Sequence, residues 1–148
     1  MAKANSKGMY PSGRGKNRDQ FVRALHAIFD HPDYLALTFT QRALLWDLSR
    51  QYDGHNNGDL TLAPRKMQKW GWKKDTLLRH RDALVEKGWL IITGSKKVRK
   101  GHCYLYALSW LSVDECGGKL FPDAYHHKPK SLRLSGGNLR LLNDVKAA

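Results

Sequence analysis

Basic side chains are concentrated in one stretch near the middle of the chain. Between Arg65 and Arg81 there are seven cations and a single acid, Asp75. The cations are Arg65, Lys66, Lys69, Lys73, Lys74, Arg79 and Arg81. Ammonium and guanidinium groups bind phosphate oxygens, and the planar fork of an arginine can bind two acceptors at once. The stretch therefore predicts a surface that binds a polyanion.

A second basic cluster follows within a short glycine-bounded segment. Between Gly94 and Gly101 the chain carries four cations and no acid: Lys96, Lys97, Arg99 and Lys100. On either side are residues typical of strands, from Trp89 to Thr93 and from His102 to Trp110, the latter with alternating Tyr104, Tyr106 and Leu108. We expect a β-hairpin with a basic loop at residues 94–101.

The overall charge has the same sign. The 148 residues contain 26 Lys and Arg against 13 Asp and Glu, a net charge of +13. Such a balance predicts attraction to a polyanion, with nucleic acid first and an anionic membrane surface second. Two cysteines, Cys103 and Cys116, are too few for a disulfide framework, and the chain shows neither a secretory signal nor an 18-residue apolar run. We therefore expect a cytoplasmic protein, with no membrane partner and reduced thiols.

Apolar spacing predicts two helices in the first half of the chain. The first spans Asp19 to Phe29, with Asp19 as its cap and Pro32 beyond its end. The second is expected to begin at Thr40 as N-cap, with Phe39 as a hydrophobic staple. Their apolar positions are Phe21, Val22, Leu25, Ile28 and Phe29 in the first, and Leu44, Leu45, Leu48 and Tyr52, flanked by Trp46, in the second. Residues 53–58 then form a turn, and residues 60–62 suffice for one edge strand.

Two further helices carry the basic stretch. Pro64 suits the first position of a helix that runs to about Trp70, and Gly71 permits a tight turn. The next helix is expected from about Lys73 to Lys87, closed by Gly88. Its inward residues are Leu77, Leu84 and Val85. A short helix, a glycine turn and a longer helix form a helix-turn-helix, so the expected class is mainly α with a small β-hairpin.

Four segments resemble a known family. They are residues 71–79 (GWKKDTLLR), 86–91 (EKGWLI), 56–60 (NNGDL) and 104–110 (YLYALSW). They are similar to winged helix-turn-helix DNA-binding proteins of bacterial phages, plasmids and integrative elements, some of which regulate transcription and others replication. The resemblance covers about residues 35–112 and implies a three-helix core, a two- or three-stranded wing and, here, an extra N-terminal helix. The expected division is a disordered basic arm (1–18), a winged-helix domain (19–110) and a C-terminal extension (111–148).

The resemblance also implies roles for the cations. The start of the 73–87 helix would enter the major groove of double-stranded DNA, where Arg79 would bind guanine and Thr76 a thymine methyl or a phosphate. The cations assigned to this DNA-binding surface besides Arg79 are Arg65, Lys66, Lys69, Lys73 and Lys74 on the helices and Lys96, Lys97, Arg99 and Lys100 on the wing. Three residues depart from the family pattern: Leu78, His80 and Arg81.

Other interpretations remain open at this point. The departures and the long extension suit a protein-binding module, such as a phage-encoded inhibitor of a host nucleic-acid complex. Single-stranded nucleic acid is a further candidate, although the five tryptophans are spaced more like core residues than like a stacking platform. Helix 19–29 or the apolar run 139–145 would suit a homodimer interface, and the extension a protein partner.

Catalytic and metal-binding patterns are not found in the sequence. The spacing of His102, Cys103, Cys116, His126 and His127 matches no zinc-finger pattern. No paired carboxylates, nucleophile motif or phosphate-binding loop is present. We therefore expect a protein that is not an enzyme and has no cofactor, and the resemblance implies a bacterial protein associated with the nucleoid.

Overall fold

Helices and an antiparallel sheet alternate along the part of the chain that the structure, a computed structural model, describes: residues 20–133. The helices are α1 (His26–Phe29), α2 (Pro32–Leu35), α3 (Phe39–Ser49), α4 (Pro64–Met67) and α5 (Lys74–Glu86). The strands are β1 (Leu60–Thr61), β2 (Leu90–Val98) and β3 (Gly101–Leu108), in the order β1-β3-β2. Short 3-10 turns cover Gln68–Trp70, Cys116–Gly118 and Pro122–His126. The fold is mixed α/β, with more sheet than the sequence predicted, and its element order is compatible with a winged helix.

The first helix is much shorter than predicted. Within the expected span from Asp19 to Phe29 only His26–Phe29 is helical, and Asp19 lies outside the described residues. Phe21 is 73% exposed and Val22 is also exposed, so the N-terminal part of the predicted apolar face is not covered by residues 20–133. A helix this short is stable only through packing, and that packing begins where Leu25 and Ile28 reach the core.

The start of α3 was also predicted wrongly. Its N-cap is Thr38, whose hydroxyl accepts a hydrogen bond from the Gln41 amide at 3.2 Å, while the Gln41 side chain accepts one from the Thr38 amide at 3.1 Å. This reciprocal capping box requires Gln or Glu three residues after the cap. Thr40 is followed at that distance by Ala43, so it cannot form one. Phe39 lies in the first turn and is 83% exposed rather than acting as a staple.

The helical pair after β1 agrees with the sequence. Pro64 occupies the first turn of α4, and Gly71 has φ +89°, a conformation that glycine adopts without strain. Helix α5 ends in a Schellman motif: the Trp89 amide donates to the Leu84 carbonyl at 2.9 Å and the Gly88 amide to the Val85 carbonyl at 3.1 Å. The chain is thereby turned from α5 directly into β2.

The hairpin is longer than predicted and its loop is shorter. Most of the expected loop 94–101 is strand, because β2 continues to Val98 and β3 starts at Gly101. The turn itself is Arg99 and Lys100. A register irregularity between Ile92 and Gly94 places Thr93 as an extra residue in β2 and allows the pairing to continue past the glycine. β1 pairs with the other side of β3, as expected for an edge strand.

Side chains from α3, α5 and one face of the sheet form the main core. Fully buried residues include Leu44, Leu45 and Leu48 of α3 and Leu77 and Leu84 of α5. Trp72, Trp89 and Trp110 are buried as well, and Trp46 and Trp70 pack against this core half-buried. The interpretation of the tryptophans as core residues is confirmed.

Residues beyond Trp110 cover the opposite face of the sheet. Tyr106 and Leu108 of β3 belong to the main core, whereas Leu105 packs with Leu120 and Ala124. Such alternation is expected when both faces of a strand are covered. Part of the expected C-terminal extension therefore packs against the same sheet as the helices. The basic arm 1–18 and the run 139–145 lie outside the described residues.

Among residues 20–133, no helix has both the length and the apolar character needed to cross a bilayer.

Candidate nucleic-acid interface

The start of α5 presents cations to solvent because the buried leucines fix how the helix is rotated. Leu77 and Leu84 are fully buried, which leaves Lys73, Lys74 and Arg79 exposed. Thr76 is half-buried. Lys73 is the N-cap residue and makes no side-chain cap hydrogen bond. The first-turn amides carry the positive end of the helix dipole, so this end of α5 favours anions.

A cleft lies between α4 and the start of α5. It has a volume of about 440 Å³ and is lined by Pro64, Arg65, Gln68, Gly71, Trp72, Lys73 and Lys74. The Trp72 indole donates a hydrogen bond to Asp47 Oδ2 at 2.8 Å and so ties the start of α5 to α3. Three cations thus line one depression, an arrangement that the spacing in the sequence did not reveal.

Two other predicted cations lie on the outer side of α4 and its 3-10 continuation. Lys66 is exposed and donates to Gln51 Oε1 at 3.1 Å. Lys69 is exposed as well, and its ammonium lies 4.9 Å from the centroid of the Trp70 ring. These neutral contacts leave the positive charges uncompensated while restricting the side chains.

The hairpin carries the second set of cations. Lys96, Lys97, Arg99 and Lys100 are all exposed. Lys97 pairs with His102 across the strands, and Ser95 with Tyr104. Residues two apart on a strand share a face, so His102, Tyr104 and Tyr106 lie on one side of β3. Tyr104 is 49% exposed on that side. The sequence predicted the strand but not an exposed ring beside the cations.

One contact joins α5 to the hairpin. From Gly88, α5 leads back toward its start and β2 leads forward to the hairpin turn. Arg81 of α5 lies beside the hydroxyl of Tyr106, which is paired with Ile92 of β2. Measured along each element, the start of α5 is about 11 Å from this contact, and the hairpin turn is about 20 Å from it.

Carboxylates do not neutralise these clusters. Across residues 20–133, no carboxylate oxygen lies within 4.0 Å of a charged nitrogen of any of the ten predicted cations. The ion pairs that do form involve other residues, such as Lys119 with Asp59 at 3.2 Å. The candidate surface thus keeps its full positive charge.

The three residues Leu78, His80 and Arg81, which depart from the pattern that the sequence resembles, are less exposed than the predicted cations of α5. Leu78 and His80 are half-buried, and His80 Nδ1 is enclosed with no hydrogen-bond partner in the described part of the chain. Burial, and then the charge of Arg79, lower the pKa of His80. Arg81 pairs with Asp82 at 2.7 Å and lies against Tyr106. Burial raises the pKa of Tyr106 to about 12.

In the stretch 20–133, no three His, Cys, Asp or Glu side chains are grouped closely enough to hold a metal ion. Cys103 and Cys116 are free thiols.

Comparison with protein-family models, with curated proteins and with solved structures found no match to this chain.

Proposed function

We propose that this protein binds double-stranded DNA through a winged helix-turn-helix. Helix α5 enters the major groove, and the β2–β3 hairpin lies as a wing on the adjacent backbone. The family resemblance of the sequence adds the biological setting: a regulator of transcription or a replication accessory protein of a phage, plasmid or integrative element, acting in the bacterial cytoplasm at the nucleoid.

The observation that carries this proposal is that the predicted cations are exposed and not paired with carboxylates of the described residues. The ten basic side chains of α4, α5 and the hairpin are exposed and have no carboxylate partner in the region 20–133. Unpaired like charges that lie near one another, such as Arg65, Lys73 and Lys74 at the cleft, repel each other at a cost to the folded state. A polyanion removes that repulsion and gains entropy from the counterions released by DNA.

The position of the cations on α5 favours a duplex. Arg79 lies on the exposed face about one turn inside the helix, where recognition helices contact base edges. Lys73 and Lys74 precede it and lie at the cleft with Arg65, a position suited to phosphates that fix register without specifying sequence. The hairpin supplies a second group of cations at a distance from the first, as needed to contact two parts of a backbone.

The salt dependence of duplex binding tests the proposal. With six or more phosphate contacts, the affinity should fall about a thousandfold between 50 and 200 mM salt. Fluorescence anisotropy of a labelled duplex measures this directly, and selection from a random pool would give the preferred sequence and its symmetry. An affinity that does not change with salt would exclude this mode of binding.

Tyr104 supports a second candidate, binding to single-stranded nucleic acid. Its exposed ring lies on the same face of the hairpin as Lys97 and His102. A base can stack on such a ring, at about 1–3 kcal/mol per base. Competition between a duplex and its separated strands distinguishes the candidates. Preference for the single strand, lost in Tyr104→Ala, would favour the second.

A further inference from the structure

The two faces of the β2–β3 hairpin have different neighbours. On one face, Tyr106 and Leu108 share the main core with Leu77 and Leu84 of α5. The side chain of Arg81, also on α5, lies beside the Tyr106 hydroxyl. We call this face of the hairpin the helix side, because α5 packs against it.

The other face, the outer side, is covered by the segment 119–124. Leu105 packs there with Leu120. Gly94 comes so close to the segment that a Cβ atom on it would lie 3.4 Å from the backbone oxygen of Lys119. The outer side of the hairpin is therefore occupied by the chain itself as far as Gly94.

Beyond the contact with α5, the helix side of the hairpin is open to solvent. Cross-strand partners share a face of a sheet, and so do residues two apart on one strand. By this rule the register places five exposed residues on the helix side: Ile92, Ser95, Lys97, His102 and Tyr104. We call these five residues the hairpin strip. Lys96 is paired with Cys103 and lies on the outer side.

The side chains of the hairpin strip match the chemistry of a DNA backbone, in which charged phosphates alternate with less polar sugar rings. Lys97 supplies a positive charge, and His102 and Tyr104 supply hydrogen-bond donors for phosphate oxygens. Ile92, 39% exposed, adds apolar surface that a sugar ring can contact. The strip thus offers both kinds of contact along one line.

We propose that the hairpin binds the DNA backbone through the hairpin strip, with Lys97, His102 and Tyr104 against phosphates and Lys96 directed away from the duplex. The inference rests on the proposed function, in which α5 holds the duplex. Because α5 lies on the helix side of the sheet, a duplex held by the exposed cations of α5 lies on that side as well. The first hairpin residues that it meets are those of the strip.

The length of the strip suits this role. Along β3, His102 is about 13 Å from Tyr106, the residue that Arg81 of α5 contacts. The major groove is about 12 Å wide. The strip can therefore reach the backbone beside the groove that α5 occupies.

Acetylation of lysines in the wild-type protein tests the assignment, because Lys96 and Lys97 are adjacent and both exposed. The protein is treated with an acetylating reagent with and without the preferred duplex, and tandem mass spectrometry then locates the modified lysines. With the duplex bound, most of the acetylation of Lys97 should be lost, whereas that of Lys96 should not change.

A pair of variants measures the effect on affinity. Tyr104→Ala should weaken duplex binding about two- to tenfold, as expected for one lost hydrogen bond. Phe121→Ala is the matched control, because its ring is exposed to a similar extent, 46%, but belongs to the segment that covers the outer side. It should bind the duplex as the wild type does in anisotropy titrations.

Two results would overturn the inference while the proposed function stands, since the duplex would still be bound. They are protection of Lys96 equal to or greater than that of Lys97, and equal duplex affinities of Tyr104→Ala and Phe121→Ala. Protection of Lys97 by polyglutamate or by a single strand, but not by the duplex, would assign the strip to another partner and also overturn it. A wild-type protein that binds no duplex would reject the proposed function, and this inference with it.

Discussion

The side-chain amide of Asn57 binds the backbone of Leu108 through both of its polar atoms. Oδ1 accepts a hydrogen bond from the Leu108 amide at 2.7 Å, and Nδ2 donates to the Leu108 carbonyl at 3.2 Å and to the Ser112 carbonyl at 2.9 Å. Asn57 is fully buried. The turn before β1 is thereby joined to the end of β3 and to the start of residues 111–133.

We expect Asn57→Ala to destabilise the protein by about 2–4 kcal/mol, because it leaves the buried Leu108 amide without its side-chain acceptor and removes the hydrogen bonds to the Leu108 and Ser112 carbonyls. Urea unfolding followed by tryptophan fluorescence measures this. Asn56→Ala is the matched control: its side chain forms hydrogen bonds with Gln51 and Asp53 in a more exposed setting, and its loss should cost about 1 kcal/mol. Equal losses in the two variants would contradict the role assigned to Asn57.

The sequence predicted the turn at residues 53–58 but not this anchor. Gly, Asn and Asp identify a turn through local backbone preferences. The partner of Asn57 lies 51 residues further along the chain, and no local pattern contains such a contact. The same reason explains the missed burial of Leu120 and Ala124, which depends on their packing against Leu105.

The capping box of α3 gives a second prediction. Thr38→Ala removes the acceptor for the Gln41 amide and should destabilise the protein by about 1 kcal/mol. Thr40→Ala, two residues later on the same exposed turn, should change stability by a few tenths at most. Thermal or urea unfolding of the two variants distinguishes these caps. A larger loss of stability in Thr40→Ala than in Thr38→Ala would instead support Thr40 as the N-cap of α3.

Elements whose signals are local were predicted best. Pro64, Gly71 and Gly88 marked the ends of α4 and α5 correctly, because each acts through its own backbone geometry. The helix from Asp19 was overestimated because apolar spacing shows which side can be buried, not whether a partner surface exists. The length of the hairpin loop was overestimated because a glycine such as Gly94 can lie at a β-bulge inside a strand as readily as at the end of one.

The contact between Asp33 and Lys130 predicts a pH dependence. The hydrogen bond from Lys130 lowers the pKa of Asp33 below its usual 3.8, against the opposing effect of burial. A carboxyl whose pKa is lowered by folding stabilises the folded state at pH values above its unfolded pKa, and that stabilisation is lost as pH falls through the folded pKa. Asp33→Asn should therefore be less stable than the wild type at pH 7, and the difference should shrink as the pH falls below about 3.8, the usual pKa, toward the lower pKa of the folded state.

Urea unfolding at pH 7, 5 and 3 measures this difference. Asp30→Asn is the control, since Asp30 is an exposed neighbour with no ion pair to residues 20–133. A difference between wild type and Asp33→Asn that persists unchanged at pH 3 would show that the ion pair is not its source.

The exposure of the basic side chains could be predicted from the sequence. Its cations are exposed, as a chain with so few acids between Arg65 and Arg81 requires. Two features of this region could not be predicted from the sequence: the cleft lined by Arg65, Lys73 and Lys74, and the exposed ring of Tyr104. Both depend on how separate elements meet.

The last prediction separates the two parts of that surface. Arg79 lies inside α5, where a guanidinium can bind the edge of a guanine, so Arg79→Ala should cost about 1–3 kcal/mol on the preferred duplex and relax the preference at one base pair. Lys97 lies on the hairpin, where it would contact phosphate. Lys97→Ala should weaken all duplexes alike and reduce the salt slope of binding by about 1.

Lys128→Ala removes the same charge from an exposed position on the 111–133 segment and is the control for net charge alone. Anisotropy titrations of the preferred duplex and of single-base variants, each at several salt concentrations, separate the three cases. If Arg79→Ala and Lys97→Ala bind no worse than Lys128→Ala, then attraction depends on overall charge rather than on these two elements. The assigned surface would then be wrong even if the protein still binds DNA.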